Sequence, residues 1–162
     1  SNLDKSSYRD KIGTLLAQDQ FVNASIYENM SFGREEVDLK TVTQIATSLE
    51  LAHFIDQISD KYNAVINPER NMLPADVATR ILFARALVSN PNLLLLEEPT
   101  AGMNQSQTKF MAEKIQSIPN ATILMASYDD EIHRICDRLI ELNQGEITFV
   151  GNYSEYQNRK QC

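Results

Sequence analysis

Two adjacent carboxylates, Glu97 and Glu98, close a run of four leucines, Leu93 to Leu96, and are followed by Pro99 and Thr100. The leucines show no alternation, so as a strand they would be buried on both faces, in the centre of a covered parallel sheet. Pro99 cannot extend a paired strand and disfavours helix at Glu98, so the strand stops there. Two acids are thereby delivered to the carboxyl end of a buried strand, where open α/β sheets bind ligands. The plainer alternative is an apolar strand that ends in solubilising charge.

The elements around this strand follow from periodicity and caps. Residues 1–11 are polar and read as a surface strand or loop. Ile12 to Ala17 is a short apolar strand that ends at Gln18-Asp19-Gln20. Residues 25–60 carry helical signals and no strand signal. Ser25 is the N-cap of a short helix, Gly33 breaks it, and Asp38 caps a helix with Leu39, Val42, Ile45, Ala46 and Leu49 at helical spacing. Leu51 to Ile58 is a further short helix, and Tyr62 to Met72 reads as irregular. Pro74-Ala75-Asp76 opens the strongest helix, whose apolar face includes Ile81, Leu82, Ala84, Leu87 and Val88, and Asn90-Pro91 ends it. After the leucine strand come a turn at Ala101 to Asn104, a helix at 106–117, and an apolar strand at 121–126. A short helix at 129–136, a hairpin of 138–142 with 145–150, and a helix at 153–158 complete the chain. Strands alternating with helices in the second half predict an α/β fold with a mostly parallel sheet.

Composition narrows the function classes. The 162 residues, 43% hydrophobic and 23% charged, suit one globular domain with a sizeable core. A formal charge of −7 leaves no basic footprint, so no nucleic-acid partner is expected. No apolar run approaches a membrane span, and SNLDKSSYRD is not a signal peptide, so the chain itself is expected to be soluble. Cys136 and Cys162 lack metal-ligand spacing and suggest packing roles in a reducing compartment. His53 and His133 fall within helical patterns and read as surface or packing residues.

The order of these pieces resembles the nucleotide-binding domain of an ABC transporter of the exporter, toxin-secretion type, from about Ile12 to Tyr156. Leu73-Pro74-Ala75-Asp76-Val77 stands at the family's Leu-Ser-Gly-Gly-Gln signature and is followed by Ala84-Arg85-Ala86-Leu87. Leu93 to Thr100 matches the Walker B motif, Ala101 to Asn104 the turn after it, and Ser127-Tyr128 the histidine position. Tyr62 to Ile66 resembles the segment before the signature, and Asp137 to Ile140 with Gly145 to Ile147 matches the closing hairpin. The resemblance implies a P-loop NTPase-type sheet flanked by helices, an inserted helical subdomain and a C-terminal β-hairpin. It divides the chain into residues 1–24 (end of the core, with the glutamine-loop strand), 25–90 (helical signature subdomain) and 91–162 (remaining core strands and hairpin).

The same resemblance implies roles for particular residues. Glu98 stands at the general base, and Tyr128 at the catalytic histidine, where a neutral phenol can hydrogen-bond but not supply a cation. Glu97 stands where an aspartate holds the magnesium hydration shell; its extra methylene weakens that function without forbidding it. At the glutamine position a gapless match gives Ala17 and a one-residue gap gives Gln18, which would then serve nucleotide and metal. Leu73, Pro74, Ala75 and Asp76 stand where a partner's γ-phosphate meets a helix N-terminus, and Asn104 replaces an aspartate that crosses to the partner.

The departures are concentrated on one reaction. Signature glycines let a phosphate reach orphan N–H groups. Pro74-Ala75-Asp76 removes both glycines, and Asp76 is expected to cap the helix itself and repel a phosphate by roughly 1–4 kcal/mol at contact range. Read as structure alone, Pro74 and Asp76 are good helix-start residues. None of Gly13, Gly33, Gly102, Gly145 and Gly151 belongs to a Gly-x-x-x-x-Gly-Lys-Ser/Thr loop. The expectation is therefore a domain that couples ATP and magnesium to export in a full-length protein but takes no cofactor and is inactive as this chain alone. It would work at the cytoplasmic face of a membrane, with a membrane-spanning domain and a second nucleotide-binding domain, in a homo- or heterodimer. The alternatives are a degenerate, non-hydrolysing docking or regulatory module and, outside the family, a small-molecule-binding α/β domain.

Overall fold

The structure, a computed structural model, describes residues 11–68 and 73–160. Residues 1–10, the end of the segment read as irregular, and Cys162 lie outside the described residues.

The centre is a three-stranded parallel sheet in the order β1 (Ile12–Leu15), β4 (Leu93–Glu97), β5 (Thr122–Ala126). Ile12 pairs with Leu93 and Leu93 with Thr122, so the leucine strand is the middle one, as its composition predicts. Its burial is uneven. Leu94 and Leu96 are buried, whereas Leu93 and Leu95 are only half-buried, and their neighbour Leu124 is 64% exposed. Enclosure on both faces is therefore not what the structure has. A run without alternation fits two apolar faces but does not say what covers them.

The covered face packs against α4 (Ala75–Leu87) and α5 (Gln105–Gln116), whose Met111 and Ile115 join the same core. Gly13 makes the closest approach: a Cβ there would lie 2.2 Å from the Ala86 carbonyl oxygen. Residues Val77, Ile81, Phe83, Ala84, Arg85 and Ala86 of α4 are all buried, so this helix is enclosed rather than one-faced.

Between β1 and β4 the chain makes a mostly helical unit. It contains α1 (Ile26–Ser31), α2 (Leu39–Ser48), α3 (Ala52–Asp56) and a 3-10 turn at Lys61–Asn63. Ser25 and Glu28 form a reciprocal capping box, and Asp38 accepts from the Thr41 N–H, as their residue types predict. The segment read as irregular hides a small element: β3 (Val65–Ile66) pairs antiparallel with β2 (Ala24–Ser25). Two-residue strands are too short to leave a periodic signal.

Arg85 fastens this unit to the core. Its guanidinium is buried and donates to the Asn29 and Gln20 carbonyl oxygens at 2.8 and 3.1 Å and to Asn29 Oδ1 at 3.2 Å. It also lies 4.4 Å from the centre of the Phe32 ring.

After β5, Asp129 caps α6 (Asp130–Arg134), and β6 (Leu139–Asn143) and β7 (Glu146–Gly151) form the expected hairpin. Gln144 and Gly145 both have positive φ, the geometry a tight two-residue hairpin turn requires. Helix α7 (Tyr153–Lys160) is the last element, and Cys136 is a half-buried free thiol that donates to the Ile132 carbonyl. No helix among the described residues is long and apolar enough to cross a membrane.

Candidate functional site at the carboxyl end of the central strand

The strand order places the end of β4 between the loops that follow β1 and β5, and the two acids meet one loop each. Glu97 Oε2 accepts the Ala17 N–H at 3.0 Å. Leu16 and Asp19 close the β1 loop into a tight turn, with the Leu16 N–H 2.8 Å from Asp19 Oδ2, and Gln18 is exposed at its tip. Both candidates for the glutamine position therefore stand at the Glu97 edge, Ala17 through its backbone.

Glu98 is held on every side. Its φ of 43° is left-handed, which a side chain with a Cβ adopts only when the surroundings over-determine it. Its N–H donates to the Ala126 carbonyl at 2.8 Å, and its own carbonyl accepts the Ala101 N–H at 2.9 Å. The carboxylate is also gripped, with Oε1 accepting the Tyr128 N–H at 3.0 Å and Oε2 accepting the Ser127 hydroxyl at 3.1 Å. Tyr128 meets the acid through its backbone, while its side chain is 96% exposed. Thr100, buried just after Pro99, donates to Asp129 Oδ2 at 3.1 Å, a second tie between the same two loops.

At the start of α4 one expectation fails. Asp76 does not cap the helix: Pro74 is the N-cap residue and makes no side-chain cap. The Asp76 carboxylate instead pairs with Arg80 one turn on, and both side chains are only 14% exposed. Arg80 in turn donates to the Leu49 and Glu50 carbonyl oxygens at 3.1 and 3.3 Å, so the pair ties the end of α2 to α4. A carboxylate with a guanidinium one turn away gains more from it than from N–H groups already inside the first turn. Leu73 is half-buried, and Pro74 and Ala75 are exposed. The Ala75 Cβ would lie 3.0 Å from a Cβ at Gly102, whose φ of 74° turns the chain past this helix end. Asn104 caps α5 through the Ser106 and Gln107 N–H groups.

The structure thus gathers Glu97, Glu98, Ala17, Gln18 and the backbone of Tyr128 at one strand end. Leu73, Pro74, Ala75, Asp76 and Asn104 lie around the α4 start and the turn before α5. Among the described residues no three His, Cys, Asp or Glu converge as a metal-binding group. A cavity of about 310 Å³ between Arg80, Met103, Gln107 and Phe110 holds none of the acids. Sequence reasoning missed the hydroxyl of Ser127 and the ring of His133, which donates to the Ser127 carbonyl at 2.8 Å. The Ser-x-Asp spacing at 127–129 carries a local signal, since such residues bond nearby backbone.

The three-stranded parallel sheet with its inserted helical unit matches the fold of a solved ABC exporter. A bacterial Atm1-family ABC exporter solved with ATP bound superimposes with a TM-score of 0.85 at 21% identity, over 96% of this chain and 27% of that one. No protein-family model matches the chain. In sequence the chain is similar to leukotoxin ATP-binding proteins. The leukotoxin translocation ATP-binding protein LktB of Mannheimia haemolytica is 26% identical, and the leukotoxin export ATP-binding protein LtxB of Aggregatibacter actinomycetemcomitans 27% identical, each over 94% of this chain. The chain spans 22% of the length of these relatives. The chain is accordingly similar in sequence to leukotoxin ATP-binding proteins and in fold to an ABC exporter.

Proposed function

We propose that the chain is the nucleotide-binding part of a longer ABC-type exporter, in which ATP binding and hydrolysis drive export across a membrane. The observation that carries this reading is the convergence of Glu97, Glu98, the 17–18 loop and the 127–128 loop at one strand end. Glu98 would orient and deprotonate the attacking water, and Tyr128 would take the histidine's place as a hydrogen-bonding group. The Glu97 carboxylate and the Gln18 amide oxygen are hard donors of the kind magnesium takes, and would hold the ion that neutralises phosphate charge. Residues 25–90 would form the signature subdomain between the core segments 1–24 and 91–162. The partners would be a membrane-spanning domain and a second nucleotide-binding domain at the cytoplasmic face, and the half-exposed face of the sheet suits cover by the rest of a longer chain.

By itself the chain would neither bind nor hydrolyse ATP. Magnesium-dependent phosphate release and a thermal shift with ATP test this directly, with no signal expected for the chain alone. A clear shift at millimolar ATP overturns it. In the longer protein Glu98→Gln is expected to abolish phosphate release; undiminished release would remove Glu98 from the reaction.

A second reading, a degenerate docking or regulatory module, is favoured by one feature. The α4 start suits a phosphate poorly, because Pro74 offers no N–H and the Asp76–Arg80 pair already occupies the first turn. In that version a competent partner subunit would carry hydrolysis.

A further inference from the structure

We propose that His133 is the positioning residue of the acidic site: by anchoring the Ser127 carbonyl it fixes the hydroxyl and the backbone N–H that grip the two carboxylate oxygens of Glu98. This rests on the nucleotide reading for its purpose, though not for its geometry. His133 lies on α6, whose N-cap is Asp129, so ring and loop are carried by one short element. A carbonyl only accepts, so the ring donates from Nε2 across 2.8 Å. Ser127 is held at both ends: its hydroxyl donates to Glu98 at 3.1 Å and accepts the Asp129 N–H at 3.1 Å, while its carbonyl takes the histidine. The next residue sends its N–H to the other oxygen of Glu98 at 3.0 Å.

Two further observations bear on this contact. His133 Nδ1 is buried and has no hydrogen-bond partner among the described residues, so the Nε2 contact with Ser127 is the one hydrogen bond of the ring there. Tyr156 packs against the ring in a T-shaped contact, 5.9 Å between centroids. The left-handed backbone of Glu98 requires support of this kind, because nothing in the residue itself favours that conformation. Tyr128, at the histidine position, contributes only its backbone here. The histidine that governs the acid lies five residues later and acts through the chain.

The test exploits reach. A glutamine amide nitrogen falls near the place of His Nε2, whereas an asparagine amide falls near Nδ1. His133→Gln should preserve the anchor, and His133→Asn and His133→Leu should lose it. In the isotope-labelled 162-residue chain, hydrogen exchange at the Tyr128 amide is expected to accelerate about fivefold in the Asn and Leu variants, the worth of one net hydrogen bond. It should return to the wild-type rate in the Gln variant, with Leu95 and Ile81 amides unchanged throughout. Equal acceleration in all three variants, unchanged exchange in all three, or unfolding of the Gln variant would overturn the proposal. In the longer protein the same pattern should appear in kcat, with KM unmoved. Absence of wild-type turnover would count against the nucleotide reading alone, since the Tyr128 amide decides the positioning separately.

Discussion

The Arg85 guanidinium donates to the Asn29 carbonyl oxygen at 2.8 Å across 56 positions of sequence. Asn29 is fully buried and spends its own amide on the Val22, Ala24 and Ser25 carbonyls. Together the two side chains donate to the Gln20, Val22, Ala24, Ser25 and Asn29 carbonyl oxygens of the 20–29 segment. Burial pulls the Arg85 guanidinium below its ordinary range, yet an arginine stays charged, so the cation is held by neutral acceptors and the Phe32 ring.

Arg85→Met should therefore leave several carbonyls unpaired and cost about 3 kcal/mol. At this chain length that lowers the melting temperature by roughly 6–12 °C. Arg85→Lys should lose nearly as much, because one ammonium cannot reach three acceptors arranged for a planar fork. Asn29→Ala combined with Arg85→Met should cost less than the sum of the two, as shared partners require. Denaturant titrations of the four proteins measure this, and simple additivity would contradict the network.

Gly13 sets a second expectation. A Cβ there would stand 2.2 Å from the Ala86 carbonyl oxygen and 2.7 Å from Leu94 Cδ2, a backbone and a fully buried side chain that cannot both yield. Gly13→Ala should cost about 3 kcal/mol, the upper end for overpacking, by pushing β1 and α4 apart. A change under 1 kcal/mol in urea unfolding would mean that the two elements move freely against each other.

The junction of α6 and α7 should respond to pH at both ends of the scale. Asp130 accepts the Tyr153 hydroxyl at 2.6 Å, and this bond, with that from Arg134, holds its carboxyl below the ordinary aspartate range. Tyr153 is pushed above the ordinary phenol range chiefly by the same bond. A carboxyl lowered in the fold contributes stability that is present above its unfolded value of about 3.9 and is lost as pH falls through the folded one. A phenol raised in the fold contributes below about 10 and loses that contribution as pH rises through its folded value. The gap in melting temperature between wild type and Asp130→Asn should thus be steady near neutrality and close in acid. The gap to Tyr153→Phe should close in both acid and strong alkali. Gaps that stay constant across the range would break the link.

Much of the fold was legible because single residues settle it. The leucine run with Pro99 marks the central strand and its end, and Ser25 and Asp38 mark helix starts that the structure keeps. The half-exposure of Leu93 and Leu95 was not legible, since a strand's composition says which faces are apolar and not which are covered. The Asp76–Arg80 pair was within reach: its spacing is one helical turn, and the expectation of a cap overlooked that competitor. The grip on Glu98 lay beyond reach. It joins residues 29 and 30 positions apart through a backbone N–H and a hydroxyl, and the local Ser-x-Asp signal at 127–129 does not say that either reaches Glu98.

The start of α4 yields the last prediction. With Asp76 paired to Arg80, a phosphate approaching this helix end would meet a neutralised carboxylate, so outright repulsion is weaker than a bare acid would give. The larger obstacle is steric and donor-based: Pro74 has no N–H, Ala75 stands close to Gly102, and the guanidinium is spent on Asp76 and the end of α2. Replacing Pro74, Ala75 and Asp76 with Ser-Gly-Gly would return an N–H, clear the approach and free the helix end for an anion. Combined with Tyr128→His in the longer protein, it should raise ATP turnover at least tenfold, the equivalent of about 1.4 kcal/mol of recovered stabilisation. The triple change alone should also weaken the hold of α2 on α4, because Arg80 loses its carboxylate. Its melting temperature should therefore fall even as turnover rises. Turnover that stays flat while stability falls would show that the deficit lies elsewhere, or that the natural sequence was never deficient at this step.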